Sequence, residues 1–143
     1  MSMLLLAVGV AAGCTSGNDT GGMTLLRSHV PEIPTGVLYL STDIGGSCTT
    51  DCPPASISRG KVVPCADLAA AQGEYETLLG TAAFEAAGDG QWTMTADNRQ
   101  ITVAVLSYDD ASAGPQPTEQ PYVDAPTDLA GACALVVTAT VGQ

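Results

Sequence analysis

Four of the five cysteines carry the most specific chemistry in this 143-residue chain: Cys48, Cys52, Cys65 and Cys133. An even number of cysteines in an exported chain predicts disulfide bonds, and three pairings of four cysteines are open. The alternative is a structural metal site that uses Cys48, Cys52 and Cys65, since zinc ligands are often two to four residues apart. We expect two disulfides, because an oxidising compartment favours bridges and no second pair of cysteines matches the spacing of the first.

Two further residue patterns resemble parts of catalytic sites. Ser58 and Lys61 stand in the Ser-x-x-Lys spacing in which a lysine helps to deprotonate a serine. Gly60 disfavours the helix that this motif needs, and its companion motifs Ser-Asp-Asn and Lys-Thr-Gly are absent from the sequence, so we interpret the match as a chance tetrapeptide. His29 is the single histidine, which we interpret as a surface residue rather than a general base.

Carboxylates are the remaining chemical candidates. Asp109 and Asp110 are adjacent, and Asp89 and Asp97 flank a predicted strand. Neighbouring carboxylates serve in glycoside hydrolysis or bind Ca²⁺. With 15 acidic residues in the chain, however, such neighbours arise by chance. We therefore expect a solvated acidic surface and assign no catalytic residue, cofactor or metal.

The N-terminal residues 1–14 combine an uncharged apolar run, Leu4 to Val10, with three small residues and then Cys14. Small side chains before a cleavage point are what a signal peptidase accommodates. This pattern resembles the lipobox of bacterial lipoproteins. The resemblance implies that residues 1–13 are a signal peptide and that Cys14 is acylated. It also implies that acyl chains anchor the protein to a membrane of the cell envelope, outside the cytoplasm.

The formal net charge of −11 limits the classes of partner. The four basic residues are scattered along the sequence: Arg27, Arg59, Lys61 and Arg99. Nucleic-acid binding depends on clustered lysine and arginine, so this class is excluded. The same charge repels anionic lipid, which leaves attachment to the acyl chains. It would also steer a basic envelope protein toward the chain.

Composition and periodicity predict a small α+β domain. We expect residues 14–35 to be the lipidated cysteine and a flexible tether, irregular over 25–35, and residues 36–143 to be a single globular domain. Only 4% of the residues are aromatic, so the core buries little area and the disulfides compensate. The predicted fold is an antiparallel sheet of three to four strands with one packed helix.

The elements of this fold follow from the spacing of apolar residues. We predict strands at 37–42 and 134–141, a hairpin of 92–96 and 101–105 with its turn at 97–100, and a helix over 67–87. Residues 61–63 are only a weak candidate for a further strand. Residues 45–58 and 109–128 are predicted loops. The helix stripe comprises Leu68, Ala71, Tyr75, Leu78 and Ala82, and we expect Trp92 to be largely buried against it.

These observations favour a non-enzymatic envelope lipoprotein with a structural or binding role. One alternative is an inhibitor or sequestering module for a basic secreted protein, such as a cell-wall hydrolase. A second alternative is a carboxylate-dependent hydrolase. Carboxylates clustered in a pocket would favour the hydrolase, whereas a flat acidic face with an exposed aromatic side chain would favour the inhibitor.

Overall fold

A computed structural model describes residues 20–45, 54–117, 126 and 129–142. These residues form one six-stranded antiparallel sheet with two helices packed on one face. The elements are α1 (Thr20–His29), β1 (Val37–Ile44), β2 (Ser56–Val63), α2 (Leu68–Thr81), β3 (Glu85–Gly88), β4 (Gln91–Ala96), β5 (Arg99–Tyr108) and β6 (Cys133–Val141). The strand order in the sheet is β1-β2-β6-β5-β4-β3. Neither helix is long and apolar enough to cross a bilayer.

The predicted α+β class with an antiparallel sheet is confirmed, whereas the prediction of three to four strands and one helix is wrong. Three of the four residues of the missed strand β3 fall within the predicted helix 67–87. Helix α2 ends at Thr81 because Ala83 adopts a left-handed φ of +74°, which interrupts helical hydrogen bonding. All four residues of β3 are exposed, so this strand lacks the alternation of buried and exposed residues by which a strand is predicted from sequence. Strand β2 also begins earlier than predicted, inside the expected loop 45–58.

Helix α1 occupies part of the stretch for which a tether and irregular backbone were predicted. Its sequence is polar and contains Gly21 and Gly22, which is why it was missed. Leu25 and Leu26 are nevertheless buried in the main core. Packing against the sheet therefore supplies the stability that the helix lacks by propensity.

The main core lies between the helices and the sheet, with β6 at its centre. Alternate residues of β6 face the helices: Leu135, Val137, Ala139 and Val141. On α2 the buried residues are Leu68, Ala71, Tyr75 and Leu79, whereas Leu78 is only partly buried, which corrects the predicted stripe by one position. Trp92 packs against this core but is only partly buried, so the expectation of a largely buried side chain is wrong.

The opposite face of the sheet carries a second, smaller cluster centred on Tyr39, Leu40 and Val136. A β-bulge between Leu38 and Leu40 brings Tyr39 and Leu40 into the same cluster. The Tyr39 ring crosses over Gly60, where an added Cβ would lie 2.8 Å from Tyr39 Cε1. A glycine is therefore required at this point of β2.

The predicted hairpin is confirmed as β4 and β5. Asp97 and Asn98 have φ values of +51° and +63°, as in the two-residue turn that matches the twist of paired strands. The turn is shorter than the predicted 97–100, because Arg99 and Gln100 already pair with β4.

Candidate functional site

Cys65 and Cys133 form a disulfide bond with a Cα–Cα distance of 5.0 Å. Cys65 begins a short 3-10 turn before α2, and Cys133 is buried at the first position of β6. The disulfide prediction is confirmed for this pair, and Cys65 is removed from the alternative zinc site because its sulfur is already bonded. Cys14, Cys48 and Cys52 lie outside the described residues.

The Ser58 and Lys61 side chains leave opposite faces of β2, because residues three apart on a strand point in opposite directions. Ser58 Oγ lies 3.5 Å from Thr138 Oγ1 on the face away from the helices. Lys61 is therefore not placed to deprotonate Ser58. His29 lies in the last turn of α1 and is partly exposed.

Of the carboxylates singled out from the sequence, Asp110 caps a short turn, whereas Asp89, Asp97 and Asp109 lie at turn or bend positions after or between strands. The Asp110 carboxylate accepts hydrogen bonds from the Ser112 hydroxyl at 2.6 Å and from the Ser112 backbone N–H at 3.0 Å. These two bonds hold the pKa of Asp110 below its usual value. Asp97 belongs to the β4–β5 turn, and Asp89 lies between β3 and β4.

A groove that sequence reasoning missed lies beside the N-terminal half of α2. Its volume is about 530 Å³, within the usual range for ligand sites. We call it the acidic groove. It is lined by Thr35, Gly36, Val63, Pro64, Asp67, Ala70, Ala71 and Glu74. Val63 and Ala71 are buried and form an apolar floor, while Asp67 and Glu74 are exposed at the edge.

Three separate segments build the acidic groove. Asp67, Ala70, Ala71 and Glu74 share one face of α2, since residues three, four and seven apart align on a helix. The facing wall is the Thr35–Gly36 bend. An added Cβ at Gly36 would lie 2.7 Å from the Val62 carbonyl oxygen, and its φ of +99° also requires glycine. The disulfide holds the third segment, because Cys65 directly follows Pro64.

Neither carboxylate of the acidic groove is neutralised by the described residues. Asp67 occupies the N-cap position of α2, but its side chain makes no capping hydrogen bond. Glu74 Oε1 accepts a single long hydrogen bond of 3.4 Å from Thr35 Oγ1. All four lysine and arginine residues lie in the described part of the chain, and the two ion pairs found there both belong to Asp43.

A second groove, of about 340 Å³, lies between the end of α1 and strand β2. We call it the arginine groove. Its lining comprises Arg27, Val30, Pro31, Glu32, Ile33, Ile57, Arg59 and Val137. Arg27 Nη2 and Arg59 Nη1 each lie 2.7 Å from a different oxygen of Asp43. Arg59 Nη1 also donates to the carbonyl oxygens of Ser58 and Thr42, at 3.0 and 3.3 Å.

The charges of the arginine groove stabilise the fold. Partial burial raises the pKa of Asp43, but hydrogen bonds and positive charge from Arg27 and Arg59 outweigh burial and hold it below its usual value. The two pairs connect α1 and β2 to the edge strand β1. Arg27 and Arg59 are thus engaged by Asp43 within the chain itself.

A hydrogen bond joins α2 to the segment that follows α1. Tyr75, which follows Glu74 on α2, has a fully buried side chain. Its hydroxyl donates to the carbonyl oxygen of Pro31 at 2.7 Å. Burial raises the pKa of the Tyr75 hydroxyl, so it remains a donor.

Comparison of the chain with protein-family models, with curated proteins and with solved structures found no match.

Proposed function

We propose that this protein is a lipid-anchored, non-enzymatic binding module of the bacterial cell envelope. The observation that carries this proposal is the Cys65–Cys133 disulfide, since structural disulfides belong to exported proteins. It supports the export that the lipobox-like residues 11–14 imply. The acidic groove supports a binding role, because its size suits a ligand and its carboxylates have no ion-pair partner in the described chain.

The position of α1 brings the folded domain close to the proposed anchor. If Cys14 carries the lipid, only residues 15–19 separate it from Thr20, the first residue of α1. Five residues span about 18 Å at most. The binding module would then act on partners at the membrane surface.

The anchor is tested by expressing the full chain in a bacterium with labelled fatty acid. We expect the label to be incorporated and the protein to be found with the membranes. Cys14→Ser should abolish both, whereas the control Cys48→Ser should retain both. Membrane attachment that survives Cys14→Ser would contradict the lipoprotein proposal.

Sequestration of a basic secreted protein is the binding role that the acidic groove favours. A net charge of −11 attracts cationic partners over the whole surface. The acidic groove adds a local site whose carboxylates are not already paired with a lysine or arginine of the chain. Pull-down from envelope extract with the full chain should enrich basic proteins. Enrichment of neutral or acidic proteins alone would count against this role.

A carboxylate-dependent hydrolase is the less well supported candidate. Asp67 and Glu74 do share a groove, but Asp67 is the N-cap of α2 and Glu74 follows it by seven residues, which corresponds to about 10.5 Å along the helix axis. Both are exposed, whereas a general acid is usually held protonated by an apolar environment. Assays with glycan substrates should show no turnover. Turnover that Glu74→Gln abolishes would make the protein an enzyme.

A further inference from the structure

We propose that the acidic groove binds the basic side chains of an extended arginine- or lysine-containing segment of a partner protein. This inference rests on the proposed function and names the chemistry of its partner. A basic side chain combines an apolar stem with a charged end. The acidic groove has the complementary order, with buried Val63 and Ala71 at its floor and two exposed carboxylates at its edge.

The two carboxylates have open capacity for donors. An ionised carboxylate accepts several hydrogen bonds, and guanidinium or ammonium groups are its strongest partners. Asp67 makes no capping bond, and Glu74 accepts one long bond from Thr35. Every lysine and arginine of the chain is described and none is ion-paired with Asp67 or Glu74, so both carboxylates remain open to a cationic group of another molecule.

The spacing of the carboxylates favours more than one basic residue in the partner. Asp67 and Glu74 lie two helical turns apart, about 10.5 Å along α2. One guanidinium cannot contact both carboxylates at that separation. An extended segment advances about 3.3 Å per residue, so basic residues two or three positions apart can each reach one carboxylate.

Small side chains keep the acidic groove open. Gly36 forms one wall, and Ala70 and Ala71 form the facing surface of α2. Ala70 is exposed, so a longer side chain there would fill the acidic groove without changing charge or core packing. Ala70→Gln therefore tests the shape of the site separately from its electrostatics.

The test is an NMR titration of the full, detergent-solubilised chain with acetyl-Arg-Arg-Arg-amide in about 0.15 M salt, where long-range attraction is screened. We expect saturable shifts confined to amides at 35–36, 63 and 67–74. The isosteric citrulline peptide should cause none, and acetyl-arginine-amide should bind more weakly than the triarginine peptide. Shifts spread over the whole acidic surface would overturn the proposal.

Charge-matched variants locate the site. Asp67→Asn/Glu74→Gln should weaken triarginine binding about three- to tenfold, the effect of losing two exposed ion pairs. The control Asp89→Asn/Asp97→Asn removes the same charge outside the acidic groove and should change affinity less than about twofold. Ala70→Gln should also weaken binding. Equal losses in the two charge variants would overturn the proposal.

Two other outcomes are also decisive. If CaCl₂ produced the same shifts and displaced the peptide at similar concentration, the acidic groove would be a cation site and the proposal would be wrong. If peptide binding were absent while fatty-acid labelling at Cys14 persisted, the groove inference would fail and the proposed anchor would stand. If peptide binding were intact while labelling at Cys14 was absent, the groove inference would stand and the proposed anchor would fail.

Discussion

The two grooves beside the helices differ in whether their charged side chains are ion-paired within the chain. In the arginine groove, Arg27 and Arg59 each lie 2.7 Å from an oxygen of Asp43, so both arginines have a carboxylate partner inside the chain. In the acidic groove, Asp67 and Glu74 have no cationic partner among the chain's lysines and arginines. Half of the four basic residues of a chain with a net charge of −11 are engaged by a single aspartate. The contrast separates charges that stabilise the fold from charges that are left for a partner.

Loss of the Cys65–Cys133 bond should have the largest effect of the substitutions, and among the two grooves it should affect the acidic groove, whose third segment this bond holds. The two cysteines are 68 residues apart, and a loop of that length is expected to stabilise the fold by about 4 kcal/mol through the unfolded state. Cys65→Ala/Cys133→Ala should lower the free energy of unfolding by this order, measured by urea denaturation. Peptide binding should also be lost before global unfolding, because Cys65 lies between Pro64 and Asp67. A change below about 1 kcal/mol would show that packing alone holds this segment.

Tyr75→Phe should have the next largest effect, because it removes the hydrogen bond that joins α2 to the segment after α1. The substitution leaves the Pro31 carbonyl without its donor, which costs about 1–2 kcal/mol of unfolding free energy. The control is Tyr108→Phe on the opposite face. Tyr108 is partly exposed and its hydroxyl makes no hydrogen bond with the described residues, so we expect a change within about 0.5 kcal/mol. Equal effects of the two substitutions would show that the Tyr75 hydrogen bond does not contribute measurably to stability.

Asp43→Asn tests the matched charges of the arginine groove. We expect a loss of about 1 kcal/mol, since the pairs are partly exposed. Folding lowers the pKa of Asp43 below 3.8, so its stabilisation is present above that pH and is lost as the pH falls through the folded pKa. The stability difference between wild type and Asp43→Asn should therefore shrink in acid. A difference that grew as the pH fell would reverse this assignment.

Asp67→Asn/Glu74→Gln should change stability least. Neither side chain makes an ion pair, and exposed substitutions of this kind usually fall within about 0.5 kcal/mol. Removing two negative charges from a strongly acidic chain would, if anything, relieve repulsion. A destabilisation as large as that of Asp43→Asn would show that the acidic groove has a structural role instead.

The sequence predicted the elements in which periodicity and turn chemistry agree. Alternating apolar residues and the Asp97–Asn98 pair identified the β4–β5 hairpin, and alternation identified β6. Helix α1 and strand β3 were missed for opposite reasons. The few buried residues of α1 stand among glycines and hydroxyl residues, whereas β3 buries none of its residues. Sheet edges and short helices are stabilised by tertiary contacts that local patterns do not carry.

Local sequence patterns could not predict the acidic groove, because it is built from three segments that are separated along the chain. Only the spacing of Asp67 and Glu74 was visible, as two carboxylates on one helix face with alanines between them. The partner of Cys65 was likewise open, since four cysteines allow three pairings. With Cys65 bound to Cys133, Cys48 and Cys52 are the remaining possible pair, and peptide mapping without reduction should recover them linked.

Equilibrium unfolding of the wild type, Asp43→Asn and Asp67→Asn/Glu74→Gln, each with and without the triarginine peptide, tests the central contrast most directly. At about ten times the dissociation constant, the peptide should stabilise the wild type by about 1.4 kcal/mol. Asp43→Asn should start from lower stability and keep this increment. Asp67→Asn/Glu74→Gln should start near wild-type stability and gain only about 0.4–0.9 kcal/mol from the same peptide concentration, because its binding is about three- to tenfold weaker. Equal increments in all three chains would contradict the assignment of the acidic groove to binding and of the arginine groove to folding.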